Sequence, residues 1–329
     1  MKTLTFLFIS LLFCNFCFSQ IDTNKVFNNE IRKIKLENSF LWFYSFIYYQ
    51  QDSLFIGRYN IENGKVDFFT HQNTKIPKMQ ERNVAGWTIN DIAIDEKGNK
   101  WFTTYNGILK FNNQNWQVLH FDLLTAIGVL CDKNAVWFAT NDRILKYEED
   151  VKYSHYPVNA YFEKHYFFYI TKYENSLYFA GDKNCIAVFD GKKWENLSEK
   201  LKCPFKIVEE IAFDKKNIWI RGGRGESPLA KYDGKKWEIF NSENSVFKCR
   251  YISKIFVQED GIVWFATCGA GLIKFENDRW TVFDSTNSAL PEPWIYDIDR
   301  DKFGNLWIAT IKGLFMYDFK TFKKIFNKN

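Results

Sequence analysis

Proline is scarce in this chain of 329 residues, with six, and methionine scarcer, with three. Histidine is nearly absent. The four present, His71, His120, His155 and His165, form no pair at metal-ligand spacing with a nearby glutamate, so neither a metal nor a cofactor is expected. Of seven cysteines, Cys14 and Cys17 fall in an N-terminal apolar run, leaving Cys131, Cys185, Cys203, Cys249 and Cys268, odd in number and widely spaced. That pattern is neither a disulfide framework nor a zinc site, and Cys249 with Cys268 is the nearest pair in sequence for a single disulfide. Charge is thinly spread too. The formal net charge is +5, and lysines come singly or as the pairs Lys192-Lys193 and Lys235-Lys236 in apparent turns, so no basic stripe invites nucleic acid.

What the chain has in excess is aromatic side chains, 19% of its residues, with 34 phenylalanines among them. At 46% apolar and 25% charged residues the composition excludes disorder. Aromatics favour pleated, half-buried surfaces, which points to an all-β protein. Closed all-β architectures accommodate a chain of this length in one domain.

Residues 1–19 read as a secretory signal peptide. Met1-Lys2 is the basic start, Leu4 to Phe13 is almost wholly apolar, and Cys17-Phe18-Ser19 offers small residues to a signal peptidase, with cleavage near Ser19-Gln20. The apolar run falls short of the roughly 20 residues a membrane-spanning helix needs, so no anchor is expected in the mature chain. Phe13 before Cys14 and Phe16 before Cys17 are too bulky for a lipoprotein signal. A secreted or periplasmic location follows, with residues 20–38 as a lead-in and 39–329 as the folded domain.

That domain repeats itself. Short runs beginning with a large apolar residue and ending with a small one recur as Leu54 to Gly57, Trp101 to Thr104, Trp137 to Thr140, Leu177 to Gly181, Trp219 to Gly222, Trp264 to Thr267 and Trp307 to Thr310. Seven copies at spacings of 36 to 46 residues each leave room for four short strands, the signature of a seven-bladed β-propeller of four-stranded antiparallel blades. In the last unit the strands are expected at Ile295 to Asp299, Leu306 to Thr310, Gly313 to Asp318 and Phe322 to Phe326. The intervening Asp301-Lys302-Phe303-Gly304-Asn305 is a hairpin turn in which Asp bonds the backbone ahead of it and Gly takes a positive φ. A calcium loop at Asp299-Arg300-Asp301 is the alternative reading of the same acids. Unit one, anchored on Leu54 to Gly57, is the degenerate copy, with its second and third strands expected to be short. Unit seven carries its own fourth strand, so ring closure needs none borrowed from the N-terminus.

The stretch 301–318, DKFGNLWIATIKGLFMYD, resembles the two-component-regulator propeller repeat, whose units run D-x-x-G-x-L-W-I-G-T-x-x-G-L-x-x-Y-D. Asn99 to Phe111 and Asp260 to Phe275 carry the pattern well, and units one and four carry it least. The resemblance implies an exported bacterial propeller. The best-known members are periplasmic sensor modules of hybrid histidine kinases that bind glycan fragments, so a ligand such as an oligosaccharide, or an envelope protein as partner, is what the resemblance suggests here. No kinase motif or phospho-acceptor domain follows the seventh unit, and the chain is expected to act as a soluble monomer. The streptogramin lyases, a similar propeller family, use histidine and glutamate with magnesium on the ring face, and matching positions are not found.

No catalytic constellation stands out. Arg221 to Pro228 is Gly-rich, but it runs into a strand and not a helix, which rules out a phosphate-cradling loop. Connections from strand two to three and from unit to unit share one face of a propeller. They would gather Trp87, Tyr105, Arg143, Arg221, Arg224, Glu226, Arg250, Tyr251 and Trp294 as candidate ligand contacts, because arginine forks suit acidic groups and exposed aromatics suit sugar rings. On strand one, Asp91, Gly128, Glu210, Lys254 and Asp297 occupy one repeated position, and the four charged residues are candidates to line the central channel. Such charges must be paired or hydrated. They read either as bonds knitting blades together or as a cation or ligand site at the channel mouth. The preferred function is therefore a non-catalytic binding propeller; the alternatives are an exported carbohydrate-active lyase or hydrolase using the same face, and a protein-interaction scaffold.

Overall fold

The computed structural model describes residues 30–46, 54–70, 73–74, 88–105, 107–119, 125–141, 143–149, 154–155, 165–223, 229–249, 251–290 and 292–325. The signal-peptide region and most of the lead-in lie outside these. The described strands form seven four-stranded sheets, each an antiparallel meander in chain order. The innermost strands, from blade 1 to blade 7, are Ile31–Glu37, Ile89–Ile94, Ala126–Asp132, Phe167–Tyr173, Val208–Phe213, Ile252–Val257 and Ile295–Arg300. Each packs on the next, and the seventh packs on the first. The fold is a closed seven-bladed β-propeller. Helix is confined, among the described residues, to one short turn at Leu197–Leu201.

Blade 1 starts earlier than its repeat suggests. Ile31–Glu37, inside the segment read as a lead-in, is its innermost strand; Phe40–Phe46 is the second and Leu54–Asn60 the third. The true anchor is Trp42, hidden in the sequence because Tyr44-Ser45 replaces the usual Ala-Thr ending. Far from being shortened, the second and third strands have seven residues each. Among the described residues no sheet borrows a strand from another blade, and blade 7 consists of C-terminal strands throughout. Closure is made by contacts between faces: Asp299 Oδ2 accepts the Leu36 N–H at 2.8 Å, and Lys302 Nζ meets Glu62 Oε1 at 2.8 Å.

Aromatic pairs fill the wedges between blades. Trp42 of blade 1 meets Phe102 and Phe111 of blade 2, Trp101 meets Phe138 and Tyr147, and Trp137 meets Phe179 and Phe189. Tyr178 meets Phe213, Trp219 meets Phe265 and Phe275, Trp264 meets Tyr317, and Trp307 meets Tyr59 of blade 1. Every junction has such a pair, with centroids 4.4 to 6.2 Å apart. At about 0.5–1.5 kcal/mol per pair beyond area burial, they account for the excess of aromatics as ring-closing material.

The turn aspartates hold these tryptophans in place. Asp301 Oδ1 accepts the N–H groups of Phe303 and Asn305, both at 2.9 Å, while Oδ2 accepts the Asn305 amide at 2.9 Å and the Trp307 indole N–H at 2.8 Å. Asp95 does the same for Trp101 and Asp214 for Trp219. The spacing from Asp to Trp thus sets both the turn and the ring orientation. Gly304 takes φ +93° in that turn, as its sequence position requires. The five candidate cysteines form no disulfide with one another, so the Cys249–Cys268 pairing is not made; Cys249 is buried in the blade 5–6 core.

Candidate axial binding site

All seven innermost strands carry a register shift near their start. The residues just past it, Lys33, Asp91, Gly128, Tyr169, Glu210, Lys254 and Asp297, form one tier around the channel. A bulge re-aims a side chain, and here it does so at six positions, the seventh being Gly128.

Three acids of this tier staple blades together. Asp91 Oδ2 accepts the Val129 N–H of blade 3 at 3.2 Å, Glu210 Oε2 the Ile255 N–H of blade 6 at 3.1 Å, and Asp297 Oδ2 the Ile34 N–H of blade 1 at 3.1 Å. These carboxylates point between blades, which is the knitting reading of the repeated position. Lys254 is the ion that answers them. Its Nζ lies 3.1 Å from Glu210 Oε1 and 3.2 Å from the Tyr169 hydroxyl, and 4.9 Å from the centre of the Tyr169 ring. Burial alone would lower the Lys254 pKa, but Glu210, Tyr169, Asp297 and Asp91 outweigh it and hold the ammonium well above its ordinary value. Burial pushes the Tyr169 hydroxyl up to about 12.

Two cavities share Asp91, Tyr169 and Lys254 as a common wall. One, of about 220 Å³, lies at the end where the innermost strands begin; the other, of about 290 Å³, lies toward the opposite face. The upper one is bordered by bulge residues, among them Asn90, Ile127 and Phe168.

Beside it stands a charge cluster. Arg221 Nη1 donates to Glu209 Oε2 and, at 2.7 Å, to the Tyr251 hydroxyl, while its Nε meets Glu210 Oε2 at 3.3 Å. Tyr251 in turn donates to Glu209 Oε2 at 3.0 Å, and its ring lies 5.0 Å from the guanidinium carbon. Desolvation opposes the Arg221 charge, yet Tyr251, Glu210 and Glu209 together raise its pKa. Burial raises the Tyr251 pKa.

The sequence-derived candidates therefore divide. Arg221 is buried, at 8% exposure, and bonded to Glu209 and Glu210 instead of facing solvent, with Tyr251 packed upon it; both border the upper chamber. Tyr105 and Trp294 are exposed at the upper rim, each 46% accessible. Arg143 is half-buried, its N–H bonded to Thr140 Oγ1 at 3.0 Å. Trp87, Arg224, Glu226 and Arg250 lie outside the described residues. Asp91, Glu210, Lys254 and Asp297 border the two axial cavities. Sequence reading missed Lys33 and Tyr169, as well as the exposed rim residue Tyr166, whose carbonyl accepts the Asp182 N–H at 3.0 Å. The recurring pattern of an apolar residue, a variable one, the tier residue and Ile or Val, as in Ile31-Arg32-Lys33-Ile34 and Phe167-Phe168-Tyr169-Ile170, would have found both tier positions. Among the described residues no group of three or more His, Cys, Asp or Glu is placed to hold a metal ion, and no helix is long and apolar enough to cross a membrane. The calcium-loop alternative fails because Asp301 is bonded to its own turn and Asp299 to Leu36.

This is a seven-bladed propeller with a polar, partitioned axial channel. Residues 289–312 match the model of the two component regulator propeller, so the seventh unit carries that repeat, in agreement with the resemblance read from its sequence. No curated protein matches the chain. Among solved structures it is similar to the extracellular domain of the putative hybrid two component system BT3049 from B. thetaiotaomicron, at 19% identity and a TM-score of 0.64. That alignment covers 87% of this chain and 39% of the other, so the chain spans well under half of that structure. Streptogramin B lyase is similar at 17% identity and a TM-score of 0.63, with 87% and 92% covered. The WD40 propeller of Doa1 is similar at 11% identity and a TM-score of 0.58, with 88% and 92% covered. At these identities the likeness is one of fold.

Proposed function

We propose that this protein is an exported, non-catalytic propeller that binds a ligand, such as a glycan fragment, or a protein partner, through the rim around its upper chamber. The observation that carries the reading is the combination of exposed Tyr105, Tyr166 and Trp294 with a 220 Å³ chamber on the same end of the ring. Aromatic faces in water beside a polar recess suit a ligand with both apolar faces and hydroxyl groups. The similarity to an extracellular sensor domain agrees with an exported location and a sensing role. The test is a glycan array with the mature chain, including sulfated and uronic-acid oligosaccharides, repeated with Trp294→Ala and Tyr166→Ala. Binding that falls about tenfold in the variants supports the rim, since losing a stacked aromatic costs on the order of 1–2 kcal/mol. Glycan binding unchanged in both variants overturns the rim; with no glycan bound, capture of an envelope protein selects the protein-partner arm, and binding of neither overturns the reading.

A second reading, a carbohydrate-active lyase or hydrolase, draws on Glu209, Glu210, Arg221 and Tyr251 meeting at one wall of the chamber. The likeness to Streptogramin B lyase is compatible with it. Arg221 occupies both carboxylates, which argues for a framework role. Release of unsaturated or reducing-end products from an oligosaccharide that binds, lost in Glu209→Gln, is the result that would select the enzyme.

A further inference from the structure

Each acid of the axial tier takes an N–H from the following blade, and that blade's own tier residue stands beside it. For Glu210 this neighbour is Lys254, 3.1 Å away. For Asp297 it is Lys33, whose charge favours the ionised carboxylate. For Asp91 it is Gly128, which has no side chain to offer. A side chain there would be crowded: a Cβ would lie 3.3 Å from Ile170 N, Phe168 O and Tyr169 Cα, all backbone atoms that would have to give by a few tenths of an ångström. The third acid thus has no ammonium on the blade it is stapled to, although the charge of Lys254 reaches it across the channel.

The space beside Asp91 suits a cation. Its Oδ1 accepts the Ile92 N–H at 3.0 Å and Oδ2 the Val129 N–H at 3.2 Å, and among the described residues no side chain donates to either. A carboxylate oxygen has two acceptor sites, so one remains on each. Asn90 donates through Nδ2 to the Ala126 carbonyl at 2.8 Å, which leaves its amide oxygen as a further acceptor at the same chamber. Phe168 and Tyr169 line that side of the chamber, and Lys254 already demonstrates the affinity of the Tyr169 ring for an ammonium. The opposite wall is occupied by the Arg221 cluster, and Lys33 and Lys254 also border the chamber, with Lys254 paired to Glu210.

We propose that the upper chamber binds the primary ammonium group of a small ligand, seated on Asp91 and the Asn90 oxygen against Phe168 and Tyr169. The ligand's amine takes the place that a lysine holds at the other two acid junctions. A chamber of about 220 Å³ holds the equivalent of about seven waters at ~30 Å³ each, enough for a short alkylamine or one amino-sugar ring. The inference rests on the reading of this end of the ring as the binding face and names the chemistry it selects.

The test is calorimetry and thermal shift on the full mature chain with n-propylamine and glucosamine, against 1-propanol and glucose as neutral counterparts. Saturable binding of both amines and of neither counterpart is expected, with Asp91→Asn weakening it by about tenfold or more. Because Asp91 also joins blades 2 and 3, Phe168→Leu serves as a second variant that leaves that staple intact. It should weaken the amines by about two- to fivefold, the worth of one cation–π contact at an exposed site. Failure of both amines to bind, equal binding of glucose and glucosamine, or undiminished binding in a folded Asp91→Asn protein overturns the proposal. If glucose and glucosamine bind equally and Trp294→Ala abolishes both, the ammonium site is wrong while the rim remains the binding face.

Discussion

Glu210 and Lys254 face each other at 3.1 Å across the blade 5–6 junction, while the other Glu210 oxygen accepts the Ile255 N–H, also at 3.1 Å. One side chain thereby joins two blades and neutralises the ammonium that partitions the channel. Glu210 is 1% exposed and Lys254 20%. Glu210→Gln should cost about 3 kcal/mol, because it strands a largely buried ammonium and leaves the Arg221 guanidinium with Glu209 as its one carboxylate partner. Lys254→Met in the Glu210→Gln background should cost less than it does alone, with a coupling of more than about 1 kcal/mol. Urea denaturation of the four proteins checks this, and strictly additive losses would show that the pair is not coupled.

Asp301 and Trp307 make the corresponding prediction for the turns. Asp301→Ala removes four hydrogen bonds to one carboxylate and leaves a buried indole N–H without its acceptor. A loss of about 2–4 kcal/mol is expected, more than for an exposed turn aspartate such as Asp190, which holds only the N–H groups of Lys192 and Lys193. Chemical denaturation of Asp301→Ala and Asp190→Ala side by side is the check. Equal losses would mean that the indole bond contributes nothing.

The architecture was legible because it repeats. Trp101, Trp137, Trp219, Trp264 and Trp307 each end a hairpin whose spacing the turn chemistry dictates, and a period seen five times places the copies around it. Blade 1 was misread because Trp42 is followed by Tyr44 and Ser45, and because its innermost strand, Ile31–Glu37, precedes any turn signal. The site was legible only as positions. Periodicity picked out Asp91, Glu210, Lys254 and Asp297 as one repeated position, but it could not reveal that each acid bonds the next blade's backbone. That bond depends on the bulge, which sequence does not announce. Arg221 looked like a ligand contact because glycines follow it; its partners, Glu209 and Tyr251, lie 12 and 30 positions away.

Phe319 holds φ +63° in the turn after the third strand of blade 7, where blades 4 and 5 place Gly191 at +92° and Gly234 at +90°. A bulky side chain in this left-handed region costs roughly 1–2 kcal/mol. Its ring is 42% exposed and recovers part of that against Tyr317, at 5.3 Å between centroids. Phe319→Gly and Phe319→Ala lose the same ring, so their difference isolates the backbone. The glycine variant should be more stable by about 1 kcal/mol, the reverse of the order at an ordinary φ. Thermal melts decide it, and an alanine variant at least as stable as the glycine one would remove the strain argument.

Asp297 gives the pH dependence. Burial raises its carboxyl above the ordinary value, against the opposing pull of Lys33, Lys254 and the Ile34 N–H. An acid whose folded value is raised favours the native state most when protonated. Its contribution is full below the unfolded value near 4 and is lost as pH rises through the folded value. The amide of an Asp297→Asn variant cannot ionise and keeps one oxygen to accept a backbone N–H, so it carries no such slope. The variant's stability deficit against wild type should therefore narrow between about pH 4 and pH 7. Denaturant titrations at several pH values across that window measure it. A deficit that widens instead would mean that Lys33 and Lys254 stabilise the ionised carboxylate by more than burial costs, and that ring closure between blades 7 and 1 depends on a charge pair like that of Glu210 and Lys254.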